Sequence, residues 1–309
     1  MIEVKNLSKY YGSKMALDDI SFTIREGEVL GFLGPNGAGK STTLKIITSY
    51  LSSTEGNVLV DGLDVFEKSL EVRKLIGYLP EHPPLYLDMT VKDYLSFVAA
   101  IRGVAGKQIP ARVNTVVEEC GIQKYYKSYC SSLSKGYRQR VGIAQAMVHE
   151  PKYLILDEPT IGLDPIQIVE IRNLIKQFGK QHTVILSTHI LPEVDVTCER
   201  VLIINNGKVV AEDTTENMHK NVTKAKELLV EYRGKSDTVL KRLEDLRGVL
   251  SVHAEPKPDE TVSLKIAFKQ DVDIRPDVAR MLFEEKLDLL ELRFISMTLE
   301  DIFVKVTMH

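Results

Sequence analysis

Short continuous apolar blocks, set between glycines and polar turns, dominate the first two-thirds of the chain. Residues 29–33 (VLGFL), 75–79 (LIGYL), 153–156 (YLIL) and 184–187 (VILS) are near-unbroken apolar runs with no polar alternation. Runs of that length, flanked by turn residues, predict strands buried on both faces. Residues 21–24 (SFTI) and 57–60 predict two more strands, the second ending in an Asp61-Gly62 turn. The stretch 201–210 is interrupted by Asn206-Gly207, a strong hairpin signal. Segments of helical period lie between these runs. One covers 40–50, with Leu44, Ile47 and Leu51 on one face. Others cover 91–102, 110–120, 137–149 (stopped by Pro151) and 165–180. Alternating strands and helices predict an α/β layer structure.

The texture changes after about Asp213. Residues 214–225 are polar and weakly patterned, which places a domain boundary there. Beyond it the pattern reads strand 228–232, helix 237–246, strands 249–254 and 262–268, helix 276–286 and strand 289–295. That βαββαβ order predicts a small α+β ferredoxin-like domain over 226–309, following a larger domain over 1–215. A last helix is expected over 298–306.

Bulk composition narrows the function classes. The 309 residues are 44% hydrophobic and 27% charged, with net charge -3. No global basic field exists to hold DNA or RNA, so no nucleic-acid partner is expected. No run of 18 apolar residues occurs, so no transmembrane helix is expected. The N-terminus lacks the apolar stretch of a signal peptide. The three cysteines, Cys120, Cys130 and Cys198, fit neither a zinc site nor a disulfide framework. Reduced thiols in a cytoplasmic protein are the expectation.

Two segments carry phosphate chemistry. Gly34-Pro35-Asn36-Gly37-Ala38-Gly39-Lys40-Ser41, followed by Thr42, fits GxxxxGK[ST] between a strand and a helix. Glycines let backbone N–H groups converge on phosphate oxygens, and the helix adds its positive end. Lys40 is expected at the β- and γ-phosphates, with the Ser41 hydroxyl on Mg²⁺. The strand 153–156 ends in Asp157 and Glu158. Asp157 is expected to hold Mg²⁺. Glu158, pointing the other way along the strand, is expected to activate water.

The segment 133–140, LSKGYRQR, resembles the signature motif of ATP-binding cassette (ABC) ATPases. Gly162-Leu163-Asp164 resembles their D-loop. His189, after VILST, stands where the family has its switch histidine, and Tyr11 matches the aromatic that stacks on adenine. The resemblance covers residues 1 to about 213. It implies a phosphate-loop ATPase domain with an antiparallel β subdomain and a helical subdomain. It implies ATP and Mg²⁺, and a homodimer or paired ABC subunit in the ATP-bound state. Each nucleotide would lie between one copy's glycine loop and the other copy's Ser134 and Gly136, with Asp164 nearby. The sequence departs from the family at LSKGY, where LSGGQ is commonest, so Tyr137 replaces a glutamine. Glu81, in YLPE, stands in place of the Q-loop glutamine and is expected near Mg²⁺.

The tail 297–307, with Leu299, Ile302 and Phe303 at helical spacing, resembles SLEDxFLxLT in ATPase subunits of ABC-2-type exporters, drug-efflux and gliding-motility systems included. That implies a separate transmembrane permease subunit, contacted by residues 79–102, and a place on the cytoplasmic face of the membrane. The competing readings are a ribosome- or DNA-directed ABC ATPase and a nucleotide-gated regulator with negligible turnover. A single cassette without a long coiled-coil insertion disfavours the first. Intact Glu158 and His189 disfavour the second.

Overall fold

The computed structural model describes residues 1–222, 225–234, 238–269 and 272–295. They form two compact units, Met1–Thr215 and a second beginning at Glu216. The first unit opens with β1 (Ile2–Tyr11), β2 (Lys14–Ile24), β3 (Val29–Leu33), α1 (Lys40–Ile47), β4 (Glu55–Val60) and β5 (Leu63–Asp64). It continues through α2 (Ser69–Leu75), β6 (Ile76–Leu79), α3 (Val91–Ile101), α4 (Ile109–Glu119), α5 (Lys135–Met147) and β7 (Tyr153–Asp157). It closes with α6 (Pro165–Gly179), β8 (Thr183–Thr188), α7 (Leu191–Thr197), β9 (Arg200–Asn205) and β10 (Lys208–Thr214). Helix α8 (Thr215–Val222) leads into the second unit.

One sheet has the order β10-β9-β3-β8-β7-β6. Its neighbours pair in parallel except at the β9–β10 hairpin. Every residue of β3, β7 and β8 is buried, which is why these strands show no alternation. Asn206 and Gly207 turn the hairpin with φ of 48° and 76°, the left-handed pair that a tight hairpin needs.

A second sheet, β2-β1-β4-β5, is antiparallel. Only a fragment of it is foreshadowed by the apolar pattern. In β1 the buried positions run Ile2, Val4, then Leu7; in β2 they run Leu17, then Ile20, Phe22 and Ile24. Bulges interrupt both strands, with Asn6 and Asp19 at positive φ and the Asn6 amide donating to Asp19 Oδ1 at 2.9 Å. Each bulge slips the alternation by one residue and hides the period. Between them the two sheets and α1 bury one core that includes Leu44, Ile47, Tyr153, Ile155, Ile185 and Leu202. Leu51, expected on α1, lies past its end and packs at the margin of this core. Helices α3, α4 and α5 pack on one another as a helical subdomain.

The start of the chain is pinned to this assembly. Asp61, in the β4–β5 turn, accepts hydrogen bonds from the Met1 amine (2.6 Å), Lys152 (2.8 Å) and Tyr153 (2.6 Å). Partial burial opposes its ionisation, yet these donors outweigh it and hold the carboxyl far below its ordinary value of 3.8. A depressed folded-state pKa contributes stability above the unfolded value, lost as pH falls through the folded one. Asp61→Asn is therefore expected to lower the melting temperature at neutral pH by about 2–4 °C. The gap to the parent should begin closing once pH falls below 3.8. A melting series across pH checks this; a gap that is constant with pH counts against the network.

The second unit contains β11 (Ala225–Arg233), α9 (Val239–Glu244), β12 (Val249–Pro256), β13 (Thr261–Lys269), α10 (Arg275–Glu284) and β14 (Asp288–Ile295). Its sheet order, β12-β13-β11-β14, with all pairs antiparallel, is the ferredoxin-like arrangement. Leu228, Val230, Leu264, Ile266 and Phe268 on the sheet meet Val239, Leu243, Val278 and Leu282 on the helices. The helix expected over 298–306, and the whole tail motif, lie outside the described residues.

Candidate functional site

The carboxyl ends of β3, β7 and β8 meet, and the loops leaving them build one cluster. After β3 the chain turns through Gly34–Gly39 into α1. Gly37 and Gly39 have φ of 82° and 112°, values that exclude ordinary side chains. A β-carbon on Gly39 would also strike Leu17 and the Ala16 carbonyl. Helix α1 has no side-chain cap and no acid in its first turn, so its positive end stays uncompensated toward the loop. Gly34 and Ala38 are buried, while Asn36 and Gly37 are exposed at the tip. Lys40 is 5% exposed; its ammonium donates to the Gly34 and Pro35 carbonyls at 2.7 and 3.2 Å. Thr42 stands beside Ser41 on α1, half-buried.

Two loops supply the acids. Asp157 ends β7 and is 2% exposed; its Oδ1 accepts from Ser41 at 3.1 Å and from Ser187 at 2.5 Å. A hydroxyl beside a carboxylate is a hard-oxygen donor set that fits Mg²⁺. Glu158 lies off the strand. Its φ is 47°, and its N–H donates to Ser187 Oγ (3.0 Å) and the Ser187 carbonyl (3.1 Å). The expectation that strand alternation aims Glu158 is thereby corrected: a left-handed residue anchored to β8 aims it. Its Oε2 faces His189 Nδ1 at 2.9 Å, and its Oε1 stands 3.2 Å from Lys40 Nζ. That Oε1 accepts no hydrogen bond although it is buried. A carboxylate only accepts, so the neighbouring His189 nitrogen carries the proton and leaves Nε2 facing away.

Lys40, Glu158 and His189 thus form one set of contacts, Ser41 and Asp157 another, and Ser187 joins the two. No hydrogen bond or ion pair among the described residues joins Glu81 to these residues. Burial first, and then the charges of Asp157, Tyr50 and Glu81, push Tyr78 well above the ordinary tyrosine range, and the buried Tyr78 hydroxyl has no partner among the described residues. Tyr11 is exposed at the end of β1, with the Lys9 ammonium 5.6 Å from its ring.

Ser134, Gly136 and Asp164 assemble elsewhere. Ser134 caps α5, accepting from Tyr137 N–H at 3.5 Å. The helix begins at Lys135, two residues earlier than the apolar period suggests, because the cap and not the first apolar residue sets its start. Gly136 lies under Gln167, where a β-carbon would collide with the amide. Asp164 caps α6 by accepting from Gln167 N–H at 2.9 Å. Gly136, Asp164 and Gln167 line one surface hollow that contains no residue of the Gly34–Ser41 loop. Tyr137, the departure from glutamine, packs on Tyr125 with ring centroids 4.2 Å apart. Sequence reasoning missed Ser187, Thr160, Thr188 and Glu193, all of which hold the acid loops. The only signal for them was their adjacency to the DE and STH motifs.

Comparison with known proteins is consistent in every direction. Residues 17–161 match the family model described as ABC transporter. An ABC transporter ATP-binding protein of Bacillus subtilis, YhcH, is 35% identical over 99% of this chain and 96% of its own length. The bacitracin transport ATP-binding protein BcrA of Bacillus licheniformis is 32% identical over 99% and 97%. The dimeric structure of MJ0796, a bacterial ABC transporter cassette, superposes with a TM-score of 0.64 at 27% identity, over 70% of this chain and 99% of that one.

Proposed function

The chain belongs to the ATP-binding proteins of ABC transporters, and we propose that it drives an exporter whose membrane-spanning permease is a separate chain. It is the ATP-binding and ATP-hydrolysing subunit. The observation that carries the mechanism is the unbroken contact set Lys40–Glu158–His189 beside Ser41–Asp157.

ATP enters with its phosphates on the N–H groups of Gly37, Gly39, Lys40 and Ser41 and its adenine on Tyr11. Lys40 exchanges the Gly34 and Pro35 carbonyls for β- and γ-phosphate oxygens. Ser41 and Asp157, with Glu81, would hold Mg²⁺, which would neutralise phosphate charge when bound. Glu158 takes the proton of the attacking water, and His189 presents Nε2 toward the γ-phosphate. The outward-facing ends of α5 and α6 suit a second copy, so that Ser134, Gly136 and Asp164 complete the partner's site. Closure on ATP and opening after hydrolysis supply the motion.

Several features support a separate permease and a peripheral place on the cytoplasmic face of the membrane. No helix among the described residues is long and apolar enough to cross a membrane. Tyr50, Leu70 and Ile101 are 78%, 69% and 65% exposed and line one hollow with Arg73, Tyr78 and Arg102. A contiguous apolar surface with a basic rim suits a docked segment of another protein. Export as the direction rests on the resemblance of the tail 297–307 to ABC-2-type exporter subunits; the relative named a bacitracin transport ATP-binding protein supports transport.

The test has two arms. The purified chain should release phosphate from ATP with Mg²⁺ and stop when EDTA removes the metal; no turnover in Mg²⁺ would overturn the enzymatic reading. Tyr50→Asp combined with Ile101→Asp should keep that turnover within about twofold and abolish copurification of an integral membrane protein. Undiminished copurification would overturn the docking assignment.

A further inference from the structure

Glu193 sits on α7, four residues past His189, and is 0% exposed. Its two oxygens each accept a hydrogen bond from a hydroxyl, one in the turn after Glu158 and one at the end of β8. Thr160 Oγ donates to Oε1 at 2.5 Å, and Thr188 Oγ donates to Oε2 at 2.8 Å. No lysine, arginine or histidine among the described residues pairs with it. A buried carboxylate held only by hydroxyls is an expensive way to fill a core, which an apolar side chain fills better. Local rules broken in this way concentrate at functional sites.

The two threonines have specific stations. Thr160 lies two residues after Glu158, inside the turn closed by Ile161 N–H on the Glu158 carbonyl at 3.2 Å; its own carbonyl accepts from Leu163 N–H at 3.2 Å, on the way to Asp164. Thr188 immediately precedes His189. Its hydroxyl accepts from Ile190 N–H at 3.0 Å while donating to Glu193, so the turn that presents His189 is built around that one oxygen. Its carbonyl accepts from Gly34 N–H at 3.3 Å, which reaches the phosphate loop. One carboxylate therefore ties together the loops that carry Glu158, His189 and Asp164.

We propose that Glu193 is a positioning residue that fixes the Glu158 and His189 turns against each other and so sets their 2.9 Å contact. The proposal rests on the catalytic reading of that pair. In Glu193→Gln one of the two hydroxyls must turn from donor to acceptor, and both charge-assisted bonds become weaker neutral ones, so the tie between the turns is loosened while volume is kept. Displacements of about 1 Å between reacting groups cost about 10²-fold. Nucleotide binding depends on the Gly34–Ser41 backbone and Lys40, which Glu193 does not touch.

The experiment is a cycle of phosphate-release kinetics on the full chain. Glu193→Gln and the isosteric Thr188→Val are each expected to lower kcat about 10- to 100-fold with KM for ATP within about threefold. In a His189→Ala background, Glu193→Gln should cost less than about twofold, because the geometry it protects is already lost. Equal proportional losses in both backgrounds would mean a merely structural residue and overturn the proposal. So would parent-like kcat in both single variants. If Glu193→Gln has no cooperative melt, Thr188→Val alone decides on the same criteria. Parent-like kcat in His189→Ala itself would overturn the catalytic reading of the histidine, and the proposal with it.

Discussion

Glu158→Gln protein is expected to turn over ATP about 10²–10⁴ times more slowly than the parent, the span that loss of a general base covers. An amide cannot take the water proton, whereas the size and anchorage of residue 158 are unchanged: its N–H bonds to Ser187 are backbone contacts. Nucleotide affinity should rise. Lys40 and Glu158 are paired at 3.2 Å, both 6% exposed at the side chain. Removing the acid leaves a buried ammonium with neutral acceptors and no counter-charge, which costs several kcal/mol unless an anion arrives. ATP phosphate is that anion. The variant should therefore gain more melting temperature from ATP than the parent gains, and should elute as a pair of copies when ATP is present. Phosphate release, melting with and without ATP, and gel filtration read the three effects. Parent-like turnover would remove Glu158 from the role of base. Slow turnover without the added ATP stabilisation would leave it the base but remove its hold on Lys40.

The glycine loop and the acids were legible because their motifs are contiguous. The backbone needed for convergent N–H groups is written in Gly37 and Gly39, and the acids follow directly on an apolar strand. What escaped was long-range. Ser187, Thr160, Thr188 and Glu193 act through partners up to 33 residues away, and neither period nor composition encodes such pairs. The direction of Glu158 escaped for a related reason. Alternation holds only while the chain stays extended, and β8 pulls Glu158 into the left-handed region. The same logic covers the fold. Strands buried on both faces announced themselves as apolar runs. Strand β1 and most of β2 did not, because paired bulges at Asn6 and Asp19 slip the phase midway. Helix α2 was missed because seven residues with Glu71, Arg73 and Lys74 bury Val72 alone. That is too short a face to show a period.

The second large effect tests whether one chain contains a whole site. Lys40 is at the glycine loop; Gly136 lines a separate hollow with Asp164, Ser134 caps the same helix end, and no hydrogen bond among the described residues joins them to the loop. If each nucleotide needs both, Lys40→Ala and Ser134→Arg proteins should each lose at least about 10²-fold in turnover when pure. The arginine would occupy the place of the γ-phosphate contact in every pair, and the alanine would remove the phosphate ammonium in every pair. Mixed in equal amounts, half of the pairs combine the two proteins. Each such pair has one site with both lesions and one with neither, since the loop of the Ser134→Arg copy then meets the α5 end of the Lys40→Ala copy. With independent sites, turnover should return to about a quarter of the parent's. It should also depend on the square of protein concentration at high dilution, as a bimolecular association requires. A mixture no more active than its components would mean that the α5 end does not complete a neighbour's site. Pure Ser134→Arg protein with parent-like turnover would mean that the glycine loop and acids of one copy suffice, and the opening and closing that transport requires would have to come from elsewhere.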